Sequence, residues 1–299
     1  MTTQRKADIA LVLVTMCWGV SYFLMDRALE EMDPFTLNAW RFLGAFAIAV
    51  VISFPKLKTV NRITLKYSFF VGTALTLTYI GCTFGVRYTT QSNAGFLCAM
   101  TVIFTPILAF IFKRVIPDKK LFLVLIMCLT GIALMSLNEQ LQIASGDLLC
   151  LMCALAYASH LLITEQAVGH SEVNAYQLGV FQLLFCGLYM LILAFLFEQP
   201  TAPATGMGWF AVIFLSIFCT GLSFIVQSLA QQYTSSTHVG VIFCLEPVFA
   251  MFVAFFLAGE VLLPRGYVGA ALMLAGLLLM EINLPFFAKA GTGGEDHQA

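Results

Sequence analysis

The chain has 299 residues, 60% of them hydrophobic and only 10% charged, with a mean hydropathy of +0.92 and a net charge of -1. A water-soluble globule carries about a quarter of its residues as charge, so this composition excludes one, and a near-zero net charge offers no footprint for nucleic acid. Apolar runs close to the roughly 20 residues that cross a bilayer as a helix recur along the whole chain, which predicts an all-α polytopic membrane protein embedded in the lipid bilayer.

In chain order the predicted spans are 8–27, 34–54, 66–87, 92–112, 119–137, 146–166, 174–197, 207–231, 236–258 and 265–287. Arg5 and Lys6 precede the first, and no small-residue cleavage site follows it, so an uncleaved first helix is expected. Turn signals fall at Asp33-Pro34, Pro117-Asp118 and Pro203, and the tail 288–299 is polar. With the N-terminus in the cytoplasm, Arg5, Lys6, Lys56, Lys58, Arg62, Lys66, Lys113, Arg114, Lys119, Lys120 and Lys289 all fall on the inner side. That leaves only Arg27, Arg41, Arg87 and Arg265 elsewhere among the 15 basic residues. The bias places both termini in the cytoplasm, as expected for a protein of the cell (inner) membrane.

An internal repeat organises these spans. YTTQSNAG (88–95) matches YTSSTHVG (233–240) at an offset of 145, which also superposes Gly131 on Gly276 and Asn138 on Asn283. At an offset of 139, Asp8 meets Asp147, Trp18 meets Tyr157 and Asp26 meets Glu165. The expected domains are a first five-helix repeat (7–138) and a second (146–287). Five is odd, so the second copy enters the membrane from the opposite face. Ten transmembrane helices in two inverted repeats suit alternating access, because swapping the two halves' conformations turns an inward-open cavity outward.

CWGVSYFLMDRAL in helix 1, NAWRF in helix 2, YTTQSNAGFL with VIFTPILA in helix 4, and CLEPVFAMFVAFFLAGEVL in helix 9 resemble the EamA-like branch of the drug/metabolite transporter superfamily. The resemblance covers roughly 8–287. It implies ten helices, a central cavity between two five-helix halves, and export of a small metabolite such as an amino acid. Import of a nutrient such as a vitamin or nucleoside by the same fold is the alternative. One departure is that Thr101-Val102 occupies the positions of Glu246-Pro247.

Glu246 falls near the middle of its span, where an ionised side chain costs about +2.5–3.5 kcal/mol. It must face a cavity or a partner. Pro247 beside it removes a backbone donor and frees the Phe243 carbonyl. One reading is a kinked, cavity-lining helix whose carboxylate meets a substrate cation or a proton; the other is a buried ion pair that fixes packing. Arg41, deep in helix 2, has three candidate roles: clamping a substrate carboxylate, pairing with Glu246, or bonding helix-end carbonyls.

Cys153, Tyr157, His160 and Thr164 share one face of helix 6, and Val14, Trp18, Ser21 and Met25 take the aligned positions in helix 1, with Tyr22 beside them. Polar groups gathered on one face of a span point inward. His160 either shuttles protons or is a neutral side chain bonded to a neighbouring helix. Thr220, Phe224, Gln227 and Gln231 form a similar stripe in helix 8, answered by Tyr79 in helix 3. Gln227 and Tyr79 either bond a polar solute or bond between helices. Asn38 and Thr101 complete the candidate substrate-binding set.

The nine cysteines, Cys150-x-x-Cys153 included, are expected to be packing residues, with no metal and no cofactor. No H-E-x-x-H, paired intramembrane aspartates or nucleotide motif is present, which argues against an enzyme or a pump. The partners expected are a small-molecule substrate and the bilayer. Proton or exchange coupling, and the oligomeric state, stay open.

Overall fold

The computed structural model describes residues 3–88, 97–114, 119–136, 145–257 and 264–281. Every element among the described residues is helical and none is a strand. Hydrocarbon offers no partner to a backbone N–H or C=O, so an apolar chain satisfies these groups within its own helices.

The helices are α1 (Thr3–Leu29), α2 (Pro34–Leu57), α3 (Arg62–Tyr88), α4 (Thr101–Lys113), α5 (Lys119–Ser136), α6 (Ser145–Val168) and α7 (Ala175–Phe197). Then come α8 (Gly206–Ala230), α9 (Ser236–Phe243), α10 (Glu246–Leu257) and α11 (Pro264–Glu281). Among the described residues seven stretches are long and apolar enough to cross a membrane, Ser236–Val253 counting as one of them, and Leu97–Lys113 and Pro264–Met280 are shorter apolar helices. Within the span predicted at 236–258, Ser236–Val253 is apolar enough to cross, and where a kink was expected the helix breaks into α9 and α10 at a turn over Cys244–Leu245. Pro117-Asp118, the tail 288–299 and all of the 88–95 turn except Tyr88 lie outside the described residues.

Polar residues secure the helix ends. Asn174, Thr205 and Ser235 each accept a hydrogen bond from a backbone N–H three residues on, as N-caps do. The N-terminus of α2 is capped from a distance: the Glu198 carboxylate, just past α7, accepts from Phe35 N at 2.8 Å and Thr36 N at 2.7 Å. Negative charge is favourable there because the first amides of a helix lack intrahelical partners.

Glu31, in the turn between α1 and α2, accepts from Ala204 N at 2.9 Å, Thr205 N at 3.1 Å and the Thr205 hydroxyl. These hydrogen bonds, the Thr205 hydroxyl's first, hold its carboxyl below the usual glutamate range. The ionised form is therefore the one the fold favours. The tie is fully present above the ordinary glutamate pKa and is lost as pH falls through the lowered folded value. Hydrogen exchange at the Ala204 and Thr205 amides should stay slow through mild acidification and quicken only below that point. Glu31→Gln should exchange faster at neutral pH and show no acid step.

Glycines permit close helix contacts in a setting where small residues let backbones approach. α5 packs along α11 through two of them. A Cβ on Gly131 would strike the Met273 side chain and stand 2.7 Å from Gly269 O, whereas one on Gly276 would meet Met127 Cβ at an ordinary 3.4 Å. Gly131→Ala should therefore lower stability by about 1–3 kcal/mol. Gly276→Ala should change it by less than about 0.5 kcal/mol. Thermal midpoints in detergent check the contrast.

Candidate functional site

The site is built around the break between α9 and α10. Pro247 has no N–H to continue the ladder, and the chain tightens before it: Cys244 N donates to Val241 O at 3.2 Å and Leu245 N to Ile242 O at 3.0 Å. α10 then opens at Glu246, placing a carboxylate where unsatisfied amides favour negative charge. The Tyr22 side chain of α1 meets that carboxylate. Gly19 makes the approach possible, since a Cβ there would lie 2.6 Å from Phe249 Cβ and 2.8 Å from Ala250 N.

Glu246 is enclosed by protein yet keeps accessible surface, as do Tyr22, Tyr79, Tyr157, Cys82 and Cys98. The first half carries a matching break: a turn at Met100 precedes α4, which restarts at Thr101, 145 positions before Glu246. The buried Thr101 hydroxyl bonds Cys98 O at 2.8 Å and Ala154 O at 3.2 Å, fixing α4 to α6.

The middle of α8, Leu215–Leu222, is a π-helix. In an α-helix Ser223 N would bond Cys219 O; here it bonds Thr220 O. Cys219 O accepts from the Trp18 indole N–H at 2.9 Å and from Arg41 Nη2 at 3.2 Å. Arg41 Nε donates to the Thr220 hydroxyl, and the guanidinium lies 5.0 Å from the Tyr79 ring centre. Among the described residues Arg41 and Glu246 form no ion pair with each other; Arg27 pairs with Glu30 and Lys113 with Glu165, and the His238 ring lies 3.3 Å from the Asp8 carboxylate. Of the three roles open to Arg41, bonding to backbone carbonyl is the one this geometry displays. Wider π-turns are rare and gather at functional sites.

A connected set of amides joins α6, α7 and α8. Tyr157 OH donates to Gln227 Oε1 at 3.2 Å, Gln227 Nε2 to Gln231 Oε1 at 3.1 Å, and Gln231 Nε2 to Leu161 O at 3.0 Å. His160 lies 2.8 Å from Gln182 Oε1 through Nε2 and 3.5 Å from Gln227 Nε2 through Nδ1. An oxygen on one side and an NH2 on the other suit the neutral tautomer protonated at Nε2. The ring is fully buried, so His160 takes the place of a side chain bonded to neighbouring helices.

Trp18 stands at the junction, its ring 4.8 Å from Phe243, 5.5 Å from Phe224 and 6.0 Å from Tyr157. Asn38 donates to the Thr83 hydroxyl at 3.2 Å, and its buried Oδ1 has no protein partner. Ser21 is buried on the same face as Trp18. Contacts link these residues in two groups: Trp18 to Tyr157 and Tyr157 to Gln227, and Tyr22 to Glu246. Arg41, His160 and Thr101 are buried and hydrogen-bonded to neighbouring helices. Sequence reasoning missed the π-turn and a meeting of three cysteines, Cys82, Cys98 and Cys153. Cys153 lies on the readable face of α6, but its two companions come from other helices.

The apolar helices and the polar groups around a broken span define the class first: a multi-pass helical membrane protein. The family model of the EamA-like transporter family matches residues 5–137 and again 144–282, and the chain belongs to that family. An uncharacterized transporter of Archaeoglobus fulgidus is 29% identical over 281 residues, covering 93% of this chain and 86% of the relative. A probable amino-acid metabolite efflux pump of Salmonella typhimurium is 24% identical over 290 residues, covering 92% and 95%. A solved crystal structure shares the fold with a TM-score of 0.81 at 14% identity, covering 93% of this chain and 98% of its own.

Proposed function

We propose that this transporter moves a small polar or amphipathic metabolite, amino-acid-like, outward across the cell membrane by alternating access between two inverted five-helix repeats. The observation that carries this reading is Glu246 at the head of α10, accessible, beside Tyr22 and inside the bundle. Discontinuous helices that present their ends to a midplane site are the usual device of secondary transporters. The carboxylate would take the ammonium of the solute, Tyr22, Tyr79 and Gln227 its polar groups, and Trp18 and Tyr157 its apolar part. The efflux name of the Salmonella relative supports the outward direction and the amino-acid class.

Support for the repeats comes from three sides. The same family model matches each half, and both halves carry a break at equivalent positions. Gly131 packs on Met273, while Gly276 packs on Cys128, the pair that the 145-residue offset generates. Two polar contacts also join the halves: the Lys113–Glu165 ion pair at 2.8 Å links α4 to α6, and the Asp8 carboxylate and His238 ring, 3.3 Å apart, link α1 to α9. On the expected topology both lie at the cytoplasmic end, so they close that end and must part for it to open.

Counterflow in proteoliposomes against amino acids, nucleosides and vitamins tests the reading, with an imposed pH gradient testing proton coupling. Exchange of amino-acid-like solutes is expected. Counterflow confined to nucleosides or vitamins, or absent for the whole panel, overturns the substrate class.

A further inference from the structure

The cysteines are scattered in sequence, yet three of them meet. Cys82 of α3, Cys98 just ahead of α4 and Cys153 of α6 bring their sulfur atoms within 4.8 Å of one another. We propose that Cys82, Cys98 and Cys153 form a three-thiolate binding site for one soft metal ion, with monovalent copper as its occupant. This goes beyond the transport reading and stands whichever solute is carried.

The geometry admits an ion at the centre. Metal–thiolate bonds of about 2.3 Å in a trigonal plane put the sulfurs about 4 Å apart. Small rotations of the three side chains from their present spacing would reach that distance. The donor set then selects the ion. Three sulfurs with no imidazole or carboxylate in the group disfavour magnesium, calcium and manganese, which prefer oxygen. Cys150 stands beside Cys98 but outside the group of three, so the four donors that structural zinc almost always takes are not gathered at one centre, whereas Cu(I) is content with three soft donors. Each Cu–S bond replaces an S–H bond and releases its proton to water in the accessible space. The copper stays monovalent and nothing is oxidised.

The surroundings fit this use. Cys82 and Cys98 keep accessible surface while Cys153 is buried, so an ion has a way in and a closed floor to rest on. Cys82 lies within electrostatic reach of the Arg41 guanidinium, a fixed cation that offsets thiolate charge in a low-dielectric setting. Packing alone does not explain the trio. At offsets of 145 and 139 the counterparts of Cys82, Cys98 and Cys153 are Gln227, Phe243 and Val14, so the other half fills the equivalent places without sulfur.

The test titrates the purified, fully reduced, full-length protein in detergent with Cu(I) against a chromogenic Cu(I) chelator. One ion per chain is expected. Cys82→Ser, Cys98→Ser and Cys153→Ser should each weaken binding by about 100-fold or more, beyond what outer-shell changes cost. Cys128→Ser and Cys186→Ser should leave it unchanged. A second measurement needs no variant: Cu(I) should protect Cys82 and Cys98 of the unaltered protein from maleimide, read by mass spectrometry. Absence of protection, or binding that depends equally on Cys128 or Cys186, overturns the site. Displacement of Cu(I) by Zn(II) in a manner that also requires Cys150 overturns the three-coordinate copper assignment.

Discussion

Glu246→Gln is expected to cut counterflow of the preferred solute by about 10- to 100-fold while the protein remains folded. A hydrogen bond to a charged group is worth about 1.5–3 kcal/mol, and each 1.4 kcal/mol is about tenfold in affinity. Glutamine keeps the shape of glutamate and an acceptor for Tyr22, so only the charge is lost. Removing that charge also removes the cost of holding it at membrane depth. The thermal midpoint should therefore stay level or rise as transport falls. A carboxylate that served packing alone would give the opposite pair: a lower midpoint with unaltered transport and pH profile. That outcome would take Glu246 out of the site.

Much of this arrangement was legible in the residues, and the reasons differ from element to element. The stripes Val14–Trp18–Ser21–Met25 and Thr220–Phe224–Gln227–Gln231 are buried throughout, because polar and aromatic groups at helical spacing cannot all face lipid cheaply. The break before Glu246 was signalled by Pro247, although the sequence suggested a kink and the structure has two helices. The break at Met100 has no such signal, as Val102 stands where Pro247 does; only the repeat offset points to it. The π-turn of α8 was invisible, since apolar residues run on either side of it and the side chains that bond its Cys219 carbonyl, Trp18 and Arg41, come from other helices. Cys82 and Cys98 were unreadable as a pair for a related reason. Spacing within one helix predicts a shared face, but a meeting between helices depends on packing that no local pattern encodes.

Arg41→Lys is expected to lower stability by about 1.5–3 kcal/mol, despite keeping the charge. The guanidinium bonds the Thr220 hydroxyl through Nε and Cys219 O through Nη2, while resting against Tyr79. An ammonium carries its three donors on one nitrogen and has no planar fork, so it cannot span these two acceptors from separate nitrogens while lying flat on a ring. Cys219 O would keep only the Trp18 indole, and α2 would lose its polar hold on the π-turn. Thr220→Val should remove part of the same contact. The double variant should then cost clearly less than the sum of the two, as expected for residues that share an interaction. Thermal midpoints of the four proteins in one detergent measure this. If Arg41→Lys instead keeps the wild-type midpoint and weakens binding only of solutes that bear a carboxylate, Arg41 touches the substrate, and the π-turn it now braces is the resting place it leaves when the site fills.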